Sequence, residues 1–445
     1  MTHEQAQEIS VSECYRTDCA EALDQALTRT AFYRAWRPSD PGPCAPLDQR
    51  FAALPALTKR DLRAHMPNGF VPQDRDFKAA LASGKLEIVA TSGTTEDRSS
   101  IVWYQPWWDG SEQAAAALHK GLDRVIDGSQ REAVLTTPLC AGNVCHAGNL
   151  TMVDRTMGRL LFLNQKADPG HWTAQDMDRM LEEFNRFQPE LLEADPAYLS
   201  ILARHASDRG IALHHPRFVS LTYEFPCRVH YRQIRRAFNG TPVLSSYGST
   251  ETGHVFTECE HGRLHQNTAY CRLDFQPLHA RHEAPRVGRI LVTMLRNPWV
   301  SLLRFDVGDL VRLAAEPCPC GRTAGLTAAS IEGRVRDVTF AADGRAVTVG
   351  RLDAALDGIA DLLAYQVDQQ TRTHYIFRYV ARTGAEDGVA EEALTRLHPL
   401  YGPGSNIATR RETAIATEQS GKFRLARTLF AWDPSALFDQ EPAPA

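Results

Sequence analysis

Four short segments hold the residue types that handling a nucleotide requires. In "TSGTTEDR", Thr91 to Arg98, small hydroxyl residues surround Gly93 directly after an apolar run. The backbone amides and hydroxyls of Thr91, Ser92, Thr94 and Thr95 can wrap phosphate oxygens closely. The spacing GxxxxGK[ST] is absent, so this is not a Walker-type loop. "SSYGSTETG", Ser245 to Gly253, offers the Tyr247 ring to a purine, a hydroxyl at Thr250 after Gly248, and at Glu251 a carboxylate able to hold Mg²⁺ on ATP phosphates. "LLRFDVGDL", Leu302 to Leu310, places Asp309 where it can accept from both ribose hydroxyls, and "EGRVRD", Glu332 to Asp337, adds Arg334. "QSGKFRLAR", Gln419 to Arg427, presents Lys422 in a glycine-containing turn. Taken singly, each segment also describes a polar turn or a surface lysine.

A fifth grouping concerns sulfur. Cys259 and His265 lie in "ECEHGRLHQN", and Cys318 and Cys320 in "CPCGR". Two thiols in a tight turn, with a Cys and a His from a distant loop, make the ligand set of a closed tetrahedral Zn²⁺ site. His261 competes with His265 for the fourth position, and unpaired core cysteines are the alternative.

These residues need elements to hold them. From about residue 80 to 250, strand-length apolar runs alternate with helical periodicity, which predicts βα units around mostly parallel sheets. Leu86 to Ala90, Glu132 to Leu139, Phe218 to Thr222 and Val243 to Ser246 read as strands. Ser111 to Ile126 and Arg228 to Phe238 read as helices, and Thr173 caps another that runs to Phe187. Pro196 starts a helix that Gly210 closes. Beyond residue 285, Gly288 to Leu295 and Ser301 to Leu313 predict paired strands turning near Pro298. Residues 339 to 430, with a helix over Val389 to Leu397, are enough for a small α+β domain, and Gln440 to Ala445 read as a tail.

The chain of 445 residues carries 49 Lys plus Arg against 54 Asp plus Glu, a formal charge of -5 with no long single-sign run. That argues against nucleic acid or a membrane surface as partner. Met1 to Gln5 opens without a signal-peptide pattern, no apolar run spans a bilayer, and ten cysteines are too few for a disulfide scaffold, so the expected location is cytoplasmic.

The order Thr-Ser-Gly-Thr-Thr, Tyr-Gly-Ser-Thr-Glu, Gly-Asp, Gly-Arg and Ser-Gly-Lys over residues 91 to 427 resembles the adenylate-forming superfamily of acyl-CoA synthetases and adenylation domains. The cysteine pattern, the length and "TYEFP", Thr222 to Pro226, standing where that family has a Gly-Glu-Pro adenine contact, resemble its phenylacetate-CoA ligase-like branch. The resemblance implies an α/β fold: a large adenylation domain over residues 1–334, with mostly parallel sheets and a β-rich subdomain, and a small mobile α+β lid domain over 335–445. It implies phosphate contacts at Thr91, Ser92, Gly93, Thr94 and Thr95, and adenine contacts at Glu224, Tyr247 and Gly248. Mg²⁺ is assigned to Glu251, ribose to Asp309 and Arg334, and the catalytic lysine is Lys422. By family position the acyl pocket draws on Asn143, Cys145, His146, Tyr223 and Ser246, and its polar residues suggest an aryl or small polar acid. The implied reaction makes an acyl-adenylate from ATP and passes the acyl group to coenzyme A. A carrier-protein thiol, an amine acceptor or a non-catalytic nucleotide-binding relative are the alternatives, and a homodimer is a possible assembly. Two departures stand out. Glu96, Asp97 and Arg98 follow the phosphate loop in place of Gly and Lys, and Arg336, beside Asp337, replaces the hinge acid.

Overall fold

The computed structural model describes residues 12–90, 99–138 and 148–439. A single twelve-stranded sheet runs through the larger part of the chain. In one half, the strands Leu160–Phe162, Glu132–Leu135, Leu191–Ala194, Phe218–Leu221 and Val243–Ser249 lie parallel to their neighbours. The central strands of this half are short and largely buried, and all four residues of Phe218–Leu221 are buried. The helices Ala174–Phe187, Pro196–Arg209 and Arg228–Ala237 cover one face, and the end of helix Gln105–Ala116 packs on the other.

Local chemistry explains where these helices start and stop. Thr173 and Asp176 form a reciprocal capping box. Asp195 caps the next helix, with Pro196 in its first turn and Gly210 in the left-handed conformation at its end. Both helices follow the sequence reading. The expected helix over Ser111 to Ile126 instead occupies Gln105–Ala116, because Pro106 suits a first turn and the chain breaks into turns before Gly121, at φ 89°.

At Val243–Ser249 the sheet changes character. Gly253–Glu258 folds back antiparallel on it, and a Cβ on Gly248 would stand 2.3 Å from the Gly253 carbonyl oxygen. From there the sheet is antiparallel through Leu264–Gln266, Thr327–Arg334, Phe305–Leu313, Val287–Met294 and Cys271–Pro277. The expectation of mostly parallel sheets thus describes half of one mixed sheet. The strand ending at Ala90 is likewise not a βα strand, for Glu87–Ala90 pairs antiparallel with Ser100–Trp103 in a separate hairpin. The motif segments Thr91 to Arg98 and Leu139 to Cys145, with His146, fall outside the described residues, as does the tail from Gln440.

After Arg334 the chain builds a four-stranded sheet in the order Asn406–Arg411, His374–Ala381, Leu362–Gln369, Ala426–Thr428. Helices Val349–Ala355 and Glu386–Tyr401 pack with it around Leu352, Val367, Phe377, Leu397 and Tyr401. This core extends to Cys227 and Val229 at the start of helix Arg228–Ala237. There Asp353 accepts from the Arg228 amide at 3.1 Å, and Asp357 pairs with Arg228 and Arg232. Among the described residues no helix is long and apolar enough to cross a membrane.

Candidate active site

A cleft of about 980 Å³ opens along the end of the parallel strands, between them, the antiparallel half and the Lys422 turn. Tyr247, Gly248, Thr250, Glu251, Asp309 and Arg334 all line it. The Tyr247 hydroxyl donates to Asp309 at 2.8 Å, and Arg334 Nε lies 3.7 Å from the other Asp309 oxygen. Strand pairing places Asp309 opposite Arg334. Three residues drawn from three motifs therefore meet, and burial beside the Asp309 carboxylate keeps the Tyr247 phenol protonated by raising its pKa. Glu251 sits in the turn after Ser249, 7% exposed, at the mouth of the same region. Its carboxylate and the Thr250 hydroxyl are the groups that fit a Mg²⁺–phosphate complex.

Lys422 reaches the cleft from the far end of the sequence. Its Nζ donates to the Tyr223 carbonyl at 3.2 Å, and the Phe423 amide donates to Glu224 Oε1 at 2.7 Å. The Tyr198 hydroxyl donates to the Gly421 carbonyl at 2.8 Å. Gly421 takes φ 82°, and a Cβ there would stand 2.5 Å from the Ala167 oxygen and 2.7 Å from Thr137 Oγ1. Only glycine fits that approach. Behind the lysine, Arg424 holds Asp337 at 2.6 Å, and Arg336 reaches Glu418 at 3.4 Å. Arg336, at the position of the expected hinge acid, thus pairs with the segment that bears Lys422.

Glu224 stands differently from its expected adenine contact. It accepts from the lysine turn and shares its surroundings with Asp195. Burial, and then the Asp195 charge, raises Glu224 well above the carboxylate range, while burial lifts Asp195 to about 7. The Lys422 ammonium opposes both shifts. Sequence reasoning missed Asp195 because the helix start was read from Pro196 alone, and the capping role of Asp195 shows only in the fold. Tyr223, at φ 72°, and Ser246 line the cleft as expected.

The cysteine grouping also converges. The donor atoms of Cys259, His265, Cys318 and Cys320 lie within 4.8 Å of one another. Cys259 and Cys318 sulfurs are 3.6 Å apart, and Cys320 Sγ is 3.2 Å from His265 Nε2. Zinc–sulfur bonds of about 2.3 Å require tetrahedral edges of about 3.8 Å, so the donor set fits the ion. Thr327 Oγ1 sits 3.3 Å from His265 Nδ1, leaving Nε2 toward the thiols. His261 is not part of the cluster; its amide donates to Cys259 Sγ.

No family model matches the chain. Among curated proteins it is 23% identical over 384 residues to Protein CapK of Staphylococcus aureus, covering 84% of this chain and 79% of that one. It is 24% identical over 284 residues to the phenylacetate-coenzyme A ligase of Thermus thermophilus, covering 61% of this chain and 58% of the relative. The solved structure of 2-hydroxyisobutyryl-CoA ligase in the postadenylation state, with 2-HIB-AMP, superposes with a TM-score of 0.68 at 15% identity, over 94% of this chain and 88% of that one. The same ligase in its thioesterification state gives 0.53 over similar coverage. The fold is that of the adenylate-forming CoA ligases, and the resemblance within them is to the phenylacetate-CoA ligase-like branch.

Proposed function

We propose that the chain activates a carboxylic acid with ATP by forming an acyl-adenylate. The observation that carries this reading is the convergence of Lys422 with Tyr247, Asp309, Arg334 and Glu251 around one cleft, from motifs as far apart in sequence as residues 247 and 422. In the proposed step, a carboxylate oxygen of the substrate attacks the α-phosphorus of ATP, the bond to the β-phosphate oxygen breaks, and pyrophosphate leaves. Asp309 and Arg334 hold the ribose, and Tyr247, fixed through its hydroxyl, gives its ring to adenine. Lys422 supplies a fixed positive charge where the attacking carboxylate and α-phosphate crowd negative charge together. Glu251 would hold Mg²⁺, which when bound screens the triphosphate.

The unit after residue 334 acts in this reading as a lid. The better superposition on the postadenylation state and the docked Lys422 turn support an adenylation-competent arrangement. Turning the unit away would withdraw Lys422 and admit the acceptor. Coenzyme A is the acceptor favoured by the similarity to coenzyme A ligases, with an amine or carrier thiol as the other reading. A structural Zn²⁺ at Cys259, His265, Cys318 and Cys320 would tie two distant loops together. Acid-dependent exchange of pyrophosphate into ATP tests the central reading, and its absence across a broad acid panel would refute it.

A further inference from the structure

Past the lysine turn the cleft is lined by carboxylates. Glu193 projects from strand Leu191–Ala194, Glu132 begins the neighbouring parallel strand, and Glu112 lies on helix Gln105–Ala116, which covers that face; all three line the cleft. Tyr223 measures their place relative to the chemistry. Its backbone carbonyl accepts from Lys422, and its hydroxyl donates to Glu193. The first carboxylate is thus one tyrosine side chain away from the reacting end.

We propose, building on the adenylation reading above, that the acid activated here carries an ammonium group remote from its carboxylate, seated among Glu112, Glu132 and Glu193. Among the described residues no lysine or arginine forms an ion pair with any of the three. Burial and mutual repulsion raise Glu132 well above the usual range and Glu112 to about 7, and burial raises Glu193, so a positive charge brought among them would favour their ionised forms. Two further groups in the cleft point to a donor-bearing ligand. Among the described residues, His230, 6% exposed, has no hydrogen-bond partner at Nδ1, and His254 has none at Nε2. Burial holds both imidazoles neutral, at about 3 and about 4, so each has a lone pair to offer an N–H. Trp108, one helical turn before Glu112, packs at 4.2 Å on Trp103 and at 5.0 Å on His254. An aromatic wall beside carboxylates suits an organic cation better than a hydrated metal ion.

The test uses the full chain and two matched pairs: 4-(aminomethyl)benzoate against 4-ethylbenzoate, and 5-aminopentanoate against hexanoate. Binding is read by calorimetry without nucleotide, and activation by pyrophosphate exchange. In at least one pair the amine-bearing acid should bind about tenfold or more tighter than its neutral partner, since a matched charge in a buried site discriminates by at least that much. Glu193→Gln and Glu132→Gln should weaken the amine-bearing acid far more than its neutral partner and so abolish the preference. Equal or reversed preference in wild type overturns the proposal, as does a preference that survives both substitutions or that CaCl₂ alone reproduces by binding at the cluster. Exchange with neutral acids only would sink this inference and leave adenylation standing. Selective amine binding with no exchange from any acid would do the opposite.

Discussion

Lys422 carries the same charge as any surface lysine, and only its neighbours make it different. It sits against a backbone carbonyl, with Asp195 and Glu224 close enough for its ammonium to lower both their pKa values. Of the three, Lys422 was legible from its Ser-Gly-Lys setting, and Glu224 was singled out but for adenine. Asp195 was hidden, because the helix start was read from Pro196 alone. The carboxylates at 112, 132 and 193 were illegible for another reason: a glutamate in a short strand or on a helix reads as solvated surface, and only the packing of helix Gln105–Ala116 over the sheet turns the three together. Their strain has a consequence for pH. Glu112 is raised from 4.5 to about 7, so the folded chain holds a proton there that the unfolded chain has lost, and stability falls as pH rises between those values. Glu112→Gln removes that penalty, which for a shift of this size is on the order of 3 kcal/mol at full strength. Thermal denaturation should show the variant melting several degrees above wild type at pH 8 and level with it near pH 4.5. A difference that does not depend on pH would mean that Glu112 ionises normally.

Elements were legible where local chemistry decided them. The capping box at Thr173 and the Pro196 start fixed two helix boundaries, and residues 218 to 249 alternated as parallel units do. Helix Gln105–Ala116 was misplaced because apolar periodicity continued past the turn that ends it. In the antiparallel half-sheet the pair Val287–Met294 and Phe305–Leu313 was legible from its turn, while the pairing of Thr327–Arg334 with Phe305–Leu313 and Leu264–Gln266 is long-range. The turn bearing Lys422 shows how one backbone position governs a site. Gly421→Ala would push a methyl group into Ala167 and Thr137, so the turn should no longer seat. Exchange activity should drop on the order of a hundredfold, as misplacement of a catalytic group by about 1 Å does, with the melting temperature little changed. Normal activity in the variant would show that the docked turn is not the active arrangement. The thiol cluster is a second element-level case, for Cys259, Cys318 and Cys320 were grouped with His265 or His261 from the sequence, and the three thiols lie with His265 in the fold. Purified protein prepared without chelator should contain about one zinc per chain, and Cys318→Ser should lose both the metal and thermal stability. Metal-free protein of unchanged stability would leave the cluster as ordinary thiols.

At the scale of the molecule, the account is one of two units that share a cleft. The larger unit supplies Tyr247, Glu251 and Asp309, and the chain beyond Arg334 supplies Lys422. Motif order alone suggested a division near residue 334. What it could not convey was how the units meet, because Asp353 and Arg228, and the Tyr198 that donates to Gly421 of the lysine turn, all lie outside the motifs. If Lys422 serves only while the small unit is docked, its charge supports attack on the α-phosphorus and nothing afterwards. The decisive measurement is therefore pyrophosphate exchange into ATP by wild type and Lys422→Ala, followed by acceptor transfer from pre-made acyl-adenylate. Wild type should exchange in an acid-dependent manner. The variant should lose exchange on the order of a hundredfold or more while completing transfer at nearly the wild-type rate. Exchange that survives in Lys422→Ala, or equal loss in both half-reactions, would contradict the assignment of Lys422 to adenylation.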